Sequence, residues 1–536
     1  MHKNYFALLL GLFLSHSLLL AQGGALDPTF NGSGIIETQV QGVQTGFQRV
    51  RLQPDGKVLA FAFMYDDTHI QSAVLRYNPD GSTDQSFGDN GAYITENAWP
   101  YYEATDGLLL SDGKIIEVSN VVYENSIALT QLLPSGALDS SFSNNGVSFI
   151  DFDISLYAPY PNTAFLQPDG KIIILGNYFD FTTDIARGFA IRVLPNGDLD
   201  DTFGIEGFQT FVPVNPDWKA EIYGGKAQPD GKILVSGRMG KDGDVNSQVW
   251  YIARLLADGT FDSSFDGDGV INPNIGSLFS EAAFELHLLS DGKILAAGYG
   301  QKLPGQHFTI LRFNTNGTPD VTFGLGGKAQ VDFGCCHSYI FDIAEQTDGK
   351  LVVAGLSDAD NIHTRFSVAR VKPNGFLDLG FGDQGKVLIL FNHDSISARA
   401  NTIALQPDGK ILISGLTTNE IDNELISGIL VRLNSGNIVG TSLIDPEHNL
   451  QLEVSPNPFS GTSLQVAYTL QEASTISMSI YDQAGRKVLD LVSLEQRQEG
   501  LNEEVFKLPT TLPVGEYYVN LETRTGRQLV KIIKAK

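Results

Sequence analysis

Aromatic side chains are the residues of this sequence best suited to bind a ligand. They gather in four short stretches, and the candidates are Trp99, Tyr101, Tyr102, Tyr157, Tyr160, Trp218, His337 and Tyr339. Exposed aromatic rings offer flat surfaces on which sugars or peptides can stack. The competing interpretation is that these rings only cap the ends of strands. The identity of the ligand stays open at this point.

One acidic stretch has the residue types of a calcium site. Asp242, Asp244 and Asn246 alternate as the first ligands of a calcium-binding loop do. Ser247 stands where such a loop has its glycine, and no glutamate stands at the position of the distal ligand. Calcium is therefore one interpretation and a solvated acidic loop is the other. No other cofactor is expected.

Standard catalytic motifs are missing from the sequence. It contains no G-x-S-x-G nucleophile elbow, no H-E-x-x-H pair and no phosphate-binding loop, and its histidines stand apart from one another. The sequence therefore favours binding over catalysis. The alternative is a hydrolase or lyase acting on extracellular polysaccharide, with acidic residues from several repeats converging on one site.

The charge of the chain argues against two classes of partner. Asp and Glu number 62 against 36 Lys and Arg, which gives a formal net charge of -26. A polyanion repels the phosphates of nucleic acid and of anionic membranes, and it stays soluble outside the cell. The two cysteines, Cys335 and Cys336, are adjacent. They are either two thiols or one strained disulfide between neighbouring residues.

An internal repeat determines where these candidate residues lie. An Asp-Gly-Lys turn recurs at intervals of 57 to 61 residues, with its glycine at Gly56, Gly113, Gly170, Gly231, Gly292, Gly349 and Gly409. A second element ends on a phenylalanine, at Phe30, Phe87, Phe142, Phe203, Phe265, Phe323 and Phe381. A third element, of the type RYNPDG, also occurs seven times. Repetition at this period is the signature of a repeat architecture.

Each repeat predicts four β-strands. In the first repeat they are Ile35–Val40, Phe47–Gln53, Lys57–Met64 and Ser72–Asn78, and the third strand is almost continuously apolar. Seven such repeats predict an all-β, seven-bladed β-propeller over residues 22–440. Because one strand precedes the first full repeat, we expect it to pair with the last strand and close the ring. One repeat per blade is the alternative.

A small residue lies five positions beyond each turn lysine. These residues are Ala62, Ser119, Gly176, Gly237, Gly298, Gly355 and Gly415. They either let strands crowd together where the blades converge or mark a β-bulge.

The repeat also predicts two unlike faces. The turns of constant sequence lie at one end of each blade, and loops of variable length and composition lie at the other. Variable loops on a constant scaffold are where binding specificity usually resides. The aromatic candidates fall in the variable loops, so we expect the ligand site on that face.

The repeat resembles a known bacterial family. The QPDGK and LDxSFGxxG elements, over about Leu26 to Gly440, are similar to the delta-60 repeat family. This resemblance implies a β-propeller fold. It implies no activity, because the family carries no agreed function.

The N-terminus has the pattern of a secretory signal peptide. Lys3 supplies a positive charge, Tyr5 to Leu20 form a short apolar stretch, and Ala21 ends a plausible cleavage site. We expect residues 1–21 to be removed, with a membrane anchor as the alternative. No later run is long and apolar enough to cross a bilayer as a helix.

The C-terminal residues predict a separate module. A linker over residues 441–454 leads into alternating strands and turns over 455–536, which predict a small immunoglobulin-like antiparallel sandwich. This module resembles the type A sorting domain of the type IX secretion system. The matching positions are Pro456, Asn457, Pro458, Gly485, Gly515 and Tyr517. The resemblance implies export to the cell surface or medium; an ordinary immunoglobulin-like domain is the alternative.

The leading hypothesis is a secreted or surface-attached propeller that binds a glycan, peptide or protein through its variable face. Partners other than this ligand would be the type IX secretion machinery. Besides the hydrolase or lyase, a structural or adhesive surface protein is a further alternative.

Overall fold

The structure is a computed structural model of the chain. It describes residues 23–66, 69–95, 102–121, 124–152, 157–181, 183–212, 217–241, 243–244, 247–273, 280–302, 305–334, 337–358, 363–389, 391, 396–419, 425–436, 452–456, 459, 462–470, 473–482, 487–509, 512–523 and 527–534. The regular elements of these residues are all β-strands. The chain divides into two compact units, one of Ala21–Gly436 and one that contains Asn437–Lys536.

The first unit contains seven groups of four strands in the described part of the chain. The first strand is β1 (Ile35–Thr38). The first six groups are β2 (Gln44–Leu52), β3 (Val58–Asp66), β4 (His69–Tyr77) and β5 (Ala92–Ile94); β6 (Tyr102–Leu109), β7 (Ile115–Val121), β8 (Ser126–Leu132) and β9 (Val147–Asp151); β10 (Tyr157–Leu166), β11 (Ile172–Asp180), β12 (Ile185–Val193) and β13 (Phe208–Phe211); β14 (Trp218–Ala227), β15 (Ile233–Lys241), β16 (Val249–Leu255) and β17 (Val270–Ile271); β18 (Ala282–Leu288), β19 (Ile294–Lys302), β20 (Gly305–Phe313) and β21 (Lys328–Val331); and β22 (Ser338–Glu345), β23 (Leu351–Ser357), β24 (Arg365–Val371) and β25 (Lys386–Ile389). The seventh group is β26 (Ile396–Leu405), β27 (Ile411–Asn419) and β28 (Leu425–Leu433), completed by β1. Within each group, neighbouring strands are antiparallel.

The two ends of this unit meet. β1 pairs with β28, with Ile35 opposite Val431. The seventh group also packs against the first, because Leu412 and Leu430 share one buried cluster with Phe47. This confirms that the N-terminal strand completes the last group, so that the sheet has no free edge there.

A contact between an arginine, an aspartate and a phenylalanine recurs in six groups of the described chain. The arginines are Arg76, Arg192, Arg254, Arg312, Arg370 and Arg432. Arg254 Nε donates to Asp262 Oδ2 at 2.8 Å, and the guanidinium carbon lies 4.5 Å from the ring centre of Phe265. Arg254 Nη1 also donates to the carbonyl oxygen of Thr315, in the next group. We call this contact the Arg–Asp–Phe lock.

The lock explains why the element that ends on phenylalanine and the RYNPDG-type element both recur, because they supply its three residues. The turn lysine also reaches the lock aspartate, in the pairs Lys57–Asp84, Lys114–Asp139, Lys171–Asp200, Lys232–Asp262, Lys293–Asp320, Lys350–Asp378 and Lys410–Asp27. Arg432 donates to the carbonyl oxygen of Pro79 and so ties the seventh group to the first. In the second group Gln131 replaces the arginine, and Lys114 alone pairs with Asp139, at 2.8 Å.

The first strand of every group carries a β-bulge. The bulged residues are Gln48, Thr105, Asn162, Tyr223, Phe284, Phe341 and Asn401. The predicted small residues pair with the position just before each bulge, as Gly355 does with Ile340. A Cβ on Gly355 would lie 1.8 Å from the Tyr339 carbonyl oxygen. The small residues therefore mark the bulge, where Gly355 closely approaches the backbone of the paired strand.

The second unit consists of two antiparallel sheets around one core. One sheet has the order β29 (Leu452–Ser455), β30 (Ser463–Leu470), β33 (Gly500–Lys507), and the other has the order β32 (Lys487–Arg497), β31 (Ser474–Asp482), β34 (Gly515–Thr523), β35 (Arg527–Lys534). Tyr468 from the first sheet and Met478 and Val519 from the second share the buried cluster.

The motif residues of this unit lie in different settings. Gly515 begins β34, and Tyr517 is buried and donates its hydroxyl to the Pro513 carbonyl oxygen at 2.9 Å. Pro456 follows β29. Asn457, Pro458 and Gly485 lie outside the described residues. In the described part of the chain, no helix is long and apolar enough to cross a membrane.

Candidate functional site

The first strand of each group lines a common central channel. A cavity of about 640 Å³ is bordered by residues from all seven of these strands, among them Arg51, Thr163, Lys226, His287 and Asp342. Its lining runs from just beyond the bulges to the strand ends that lead into the constant turns. We call it the turn-end chamber.

A smaller pocket lies at the level of the bulges. It has a volume of about 190 Å³ and is lined by Gln48, Arg49, Thr105, Asn162, Tyr223, Phe284, Phe341, Arg399 and Asn401. All seven bulged residues are in this lining. A bulge leaves one residue unpaired and re-aims its side chain, which explains why this ring of residues surrounds the channel. We call it the loop-end pocket, because the strands run from it toward the variable loops.

Three aromatic rings form one side of the loop-end pocket. The ring centre of Phe284 lies 5.0 Å from that of Tyr223 and 5.1 Å from that of Phe341. Tyr299 extends the group, with its ring centre 5.7 Å from Phe284 and 4.6 Å from Tyr339. These tilted and edge-on contacts hold the rings in place by their quadrupoles as well as by burial.

Amide side chains form another side of the pocket. Asn162 Nδ2 donates to the Ile222 carbonyl oxygen at 2.6 Å, and Asn401 Nδ2 donates to the Phe47 carbonyl oxygen at 2.8 Å. These bonds fix each amide between neighbouring groups of strands. Among the described residues, neither Oδ1 accepts a hydrogen bond, so two acceptors are left for a ligand.

Arg399 is one of the two arginines in the pocket lining, together with Arg49. It lies two residues before the bulge at Asn401, and its guanidinium carbon is 5.6 Å from the ring centre of Phe341. Its Nε is buried without a hydrogen-bond partner. Burial lowers the pKa of Arg399, while Tyr160 and Glu103 act to raise it.

A polar network borders the aromatic group. Arg238 Nε donates to Glu221 Oε2 at 2.5 Å, and Arg238 Nη1 donates to Gln248 Oε1 at 3.1 Å. Tyr339 donates its hydroxyl to Gln306 Oε1 at 2.6 Å. Burial, chiefly, raises the pKa of Tyr339 to about 12, so it remains a hydroxyl donor at neutral pH.

The turn-end chamber holds a different set of groups. Glu285 and Asp342 occupy the position after the bulge on the neighbouring strands β18 and β22. Burial raises the pKa of Glu285 to about 7, with Lys226 and Arg49 opposing that rise and Asp342 adding to it. Two Asp342 oxygens accept the backbone N–H groups of Ile343 and Ile403, both at 2.7 Å. Burial, chiefly, raises the pKa of Asp342 as well, with Arg49 opposing that rise, and an acid of such a pair that holds a proton near neutral pH can transfer it.

The structure places two of the predicted aromatics beside residues of the loop-end pocket. Tyr160, 38% exposed, donates its hydroxyl to Glu103 Oε1 at 3.0 Å, and Tyr339 joins the aromatic group. Tyr102 is buried in a core cluster instead, because it points to the opposite side of its strand from Glu103. Trp218 is partly exposed at the start of β14.

The other predicted residues either lie away from the loop-end pocket or fall outside the described residues. His337 is exposed, and its Nδ1 lies 2.8 Å from Asp358 Oδ2. Asp244 belongs to a turn in which its carbonyl oxygen accepts from Ser247. Trp99, Tyr101, Asp242, Asn246, Cys335 and Cys336, and the side chain of Tyr157, lie outside the described residues. Within the described residues, no group of three or more His, Cys, Asp or Glu could hold a metal ion.

Four residues of the loop-end pocket were not predicted from the sequence: Phe284, Phe341, Tyr223 and Arg399. A signal for three of them exists in the repeat, because each bulged residue precedes the glycine of its turn by eight positions, as Phe284 does Gly292. That constant distance could have found the pocket. Nothing in the loops themselves points to it.

A family model matches the chain in six places. The model is described as a DUF5122 beta-propeller domain of unknown function, and it matches residues 53–87, 167–203, 228–265, 289–323, 346–381 and 406–437. These matches support a β-propeller repeat family. The repeat that is not matched is the second one, where Gln131 replaces the lock arginine. No curated protein matches the sequence.

Solved structures similar to this chain include a polysaccharide lyase, Uly1, at 12% identity over 73% of this chain and 90% of its own, with a TM-score of 0.44. An α-L-arabinanase from Penicillium chrysogenum has 10% identity over 74% and 96%, with a TM-score of 0.38. The Nup133 β-propeller domain of Vanderwaltozyma polyspora has 13% identity over 77% and 97%, with a TM-score of 0.35. Likenesses this distant carry no argument about function.

Proposed function

We propose that the chain is a seven-bladed β-propeller that binds a glycan in its loop-end pocket, followed by an immunoglobulin-like sandwich. One observation carries the proposal: the seven bulged residues, one from each group of strands, line a single pocket. A pocket assembled this way uses the scaffold to position side chains that differ from repeat to repeat.

The lining of the pocket suits a sugar. The apolar face of a sugar ring can lie on Phe284 and Phe341, while its hydroxyl groups donate to Asn162 Oδ1 and Asn401 Oδ1. The volume, about 190 Å³, is below the roughly 300–1,000 Å³ of pockets that enclose a whole drug-sized ligand. We therefore expect one sugar residue of a longer glycan to enter.

A glycan array with the purified full-length chain tests this proposal. Phe284→Ala and Phe284→Leu remove the central ring, and we expect each to weaken binding about tenfold. Phe376→Ala is the matched control, because Phe376 is an exposed ring on a constant turn. Thermal unfolding shows whether each variant remains folded.

The array result can contradict the proposal in two ways. Absence of binding by the wild-type chain to any glycan would contradict it and favour a peptide ligand or a structural role. Equal loss of binding in the Phe376→Ala control would show that the pocket is not the site.

A second candidate function is cleavage of a polysaccharide in the turn-end chamber, either by hydrolysis or by the elimination reaction of a lyase. The observation that favours it is Glu285, whose pKa is raised to about 7, beside Asp342. As a general acid, Glu285 must be protonated, so activity should fall as the pH rises through about 7. Glu285→Gln should abolish release of new sugar ends; unchanged release would rule out this role.

Export is a separate proposal. We propose that residues 1–21 direct secretion and that residues 455–536 direct passage through the type IX system to the surface or medium. The support is the order of motifs at both ends of the sequence. Truncation after Leu450 should trap the protein in the periplasm. Normal surface delivery of that truncation would contradict the proposal.

A further inference from the structure

Among the described residues, one arginine in the lining of the loop-end pocket has no ion pair with an acid. Arg49, also in the lining, has its Nε 3.6 Å from Asp106 Oδ2, and the nearby Arg238 is bound to Glu221. Within the described chain Arg399 makes no such pair, and its Nε is buried without a hydrogen-bond partner. A buried charge without a counter-charge costs free energy, and an anionic group of a ligand in the pocket would offset that cost.

No carboxylate lines the loop-end pocket in the described part of the chain. The acid that acts on Arg399 is Glu103, which accepts the hydroxyl of Tyr160 at 3.0 Å. Burial raises the pKa of Glu103, so the protein environment disfavours its charged form. The pocket therefore presents a cation that its own acidic neighbour compensates poorly.

We propose that Arg399 binds the carboxylate of an acidic sugar, so that the glycan recognised by the loop-end pocket contains a uronic acid. This inference rests on the proposed glycan-binding function. The planar guanidinium fork matches a carboxylate with two parallel hydrogen bonds, and its central carbon lies 5.6 Å from the Phe341 ring centre, within range of a cation–π contact.

The net charge of the chain acts in the opposite direction at long range. A charge of -26 slows the approach of an anion. At an ionic strength of 0.1 M this repulsion is screened beyond about 10 Å, while the short contact inside the pocket is screened much less. The ion pair can therefore still decide the affinity.

Binding of matched oligosaccharides to the full-length chain tests the inference. The probes are tetrasaccharides of galacturonate, mannuronate and glucuronate, each paired with its neutral hexose counterpart, and one sulfated neutral tetrasaccharide. We expect at least one uronate to bind about tenfold or more tightly than its neutral counterpart, as a charge-assisted pair implies. Each pair differs in the carboxylate alone.

Three variants identify the residue responsible. Arg399→Gln should abolish the preference, measured as the ratio of uronate affinity to neutral-sugar affinity, and Arg399→Lys should keep part of it. Lys328→Gln, on the outer strand β21, removes one positive charge away from the pocket and should change neither affinity. Thermal unfolding checks the folding of each variant, and Arg399→Lys serves if Arg399→Gln does not fold.

Different failures have different meanings. Equal affinity for uronate and neutral sugars, or an unchanged preference in Arg399→Gln, would overturn the inference while the glycan proposal stands. Tighter binding of the sulfated probe than of every uronate would overturn the carboxylate assignment. Failure of every sugar to bind would overturn both.

Discussion

The two ends of the first unit are built on opposite plans. At the turn end, one set of residues recurs: Arg254, Asp262 and Phe265 repeat in almost the same geometry in six of the described groups. At the bulges, only the backbone recurs, and residues as different as Thr105 and Phe284 occupy the equivalent position. The scaffold thus repeats side chains where stability is needed and repeats only backbone where we propose that a ligand binds.

Electrostatics separates the lock residues from the acids of the channel in a similar way. Burial acts to raise the pKa of Asp27, but hydrogen bonds from Thr29 and Lys410 bring it down to about 2. The lock charges are therefore satisfied within the protein. Near the channel, burial raises the pKa of Glu103 and of Glu285, because these acids have fewer compensating partners. Uncompensated groups of this kind are typical of functional sites.

The largest expected effect comes from breaking a lock. Arg192→Ala leaves the buried Asp200 without its arginine, and we expect a loss of about 3–5 kcal/mol in the free energy of unfolding. Chemical denaturation measures it. Lys171→Ala removes the partly exposed partner of the same aspartate and should cost about 1 kcal/mol or less. Equal costs for the two variants would contradict the view that the lock is the stabilising element.

The second group of strands lacks the lock arginine, so the contrast between the two ends is weakest there. The same group contains a buried acid, Glu117. Glu117 on β7 is buried, and among the described residues its carboxyl group has no cationic partner, only the hydroxyl groups of Ser72 and Ser119 nearby. Burial raises its pKa from 4.5 to about 7. This shift corresponds to a difference of about 3 kcal/mol between the folded and the unfolded chain in the free energy of ionising Glu117. The folded chain therefore binds this proton more tightly than the unfolded chain does.

This raised pKa sets the sign of a pH effect. The free energy of unfolding should fall as the pH rises from about 4.5 to about 7 and stay low above that range. Glu117→Gln carries no titratable proton and should lose this dependence, so it should gain stability relative to wild type at pH 8 compared with pH 5. Denaturation at both pH values measures it. An identical pH dependence in both proteins would contradict the account.

A smaller effect is expected from supplying the missing lock. Gln131→Arg places a guanidinium where Asp139 now has Lys114 as its ion-pair partner. We expect a gain of about 1 kcal/mol, because the new contacts replace an existing hydrogen-bonded arrangement. The unfolding midpoint in denaturant reports the change. A loss of stability would show that the second group has repacked around Gln131 and no longer accepts the lock.

The sequence predicted the strands and the closure well because their signals are local. Asp-Gly turns and an apolar third strand specify the hairpins, and an unpaired first strand specifies the closure with β28. The inward-facing residues could not be predicted from alternation. A bulge shifts the pattern by one residue in every inner strand, so Phe284 and Phe341 face the channel where simple alternation misplaces them. Tyr102, predicted as exposed, is buried because it lies one residue before Glu103 and therefore points to the opposite side of the strand.

The most direct test of the division between the two ends measures glycan affinity and unfolding free energy in the same two variants. Phe284→Ala at the loop-end pocket should weaken binding about tenfold with a smaller loss of stability than the lock variant. Arg192→Ala at the turn end should lose about 3–5 kcal/mol of stability while its folded fraction binds with wild-type affinity. Unchanged binding in Phe284→Ala together with lost binding in folded Arg192→Ala would contradict the account.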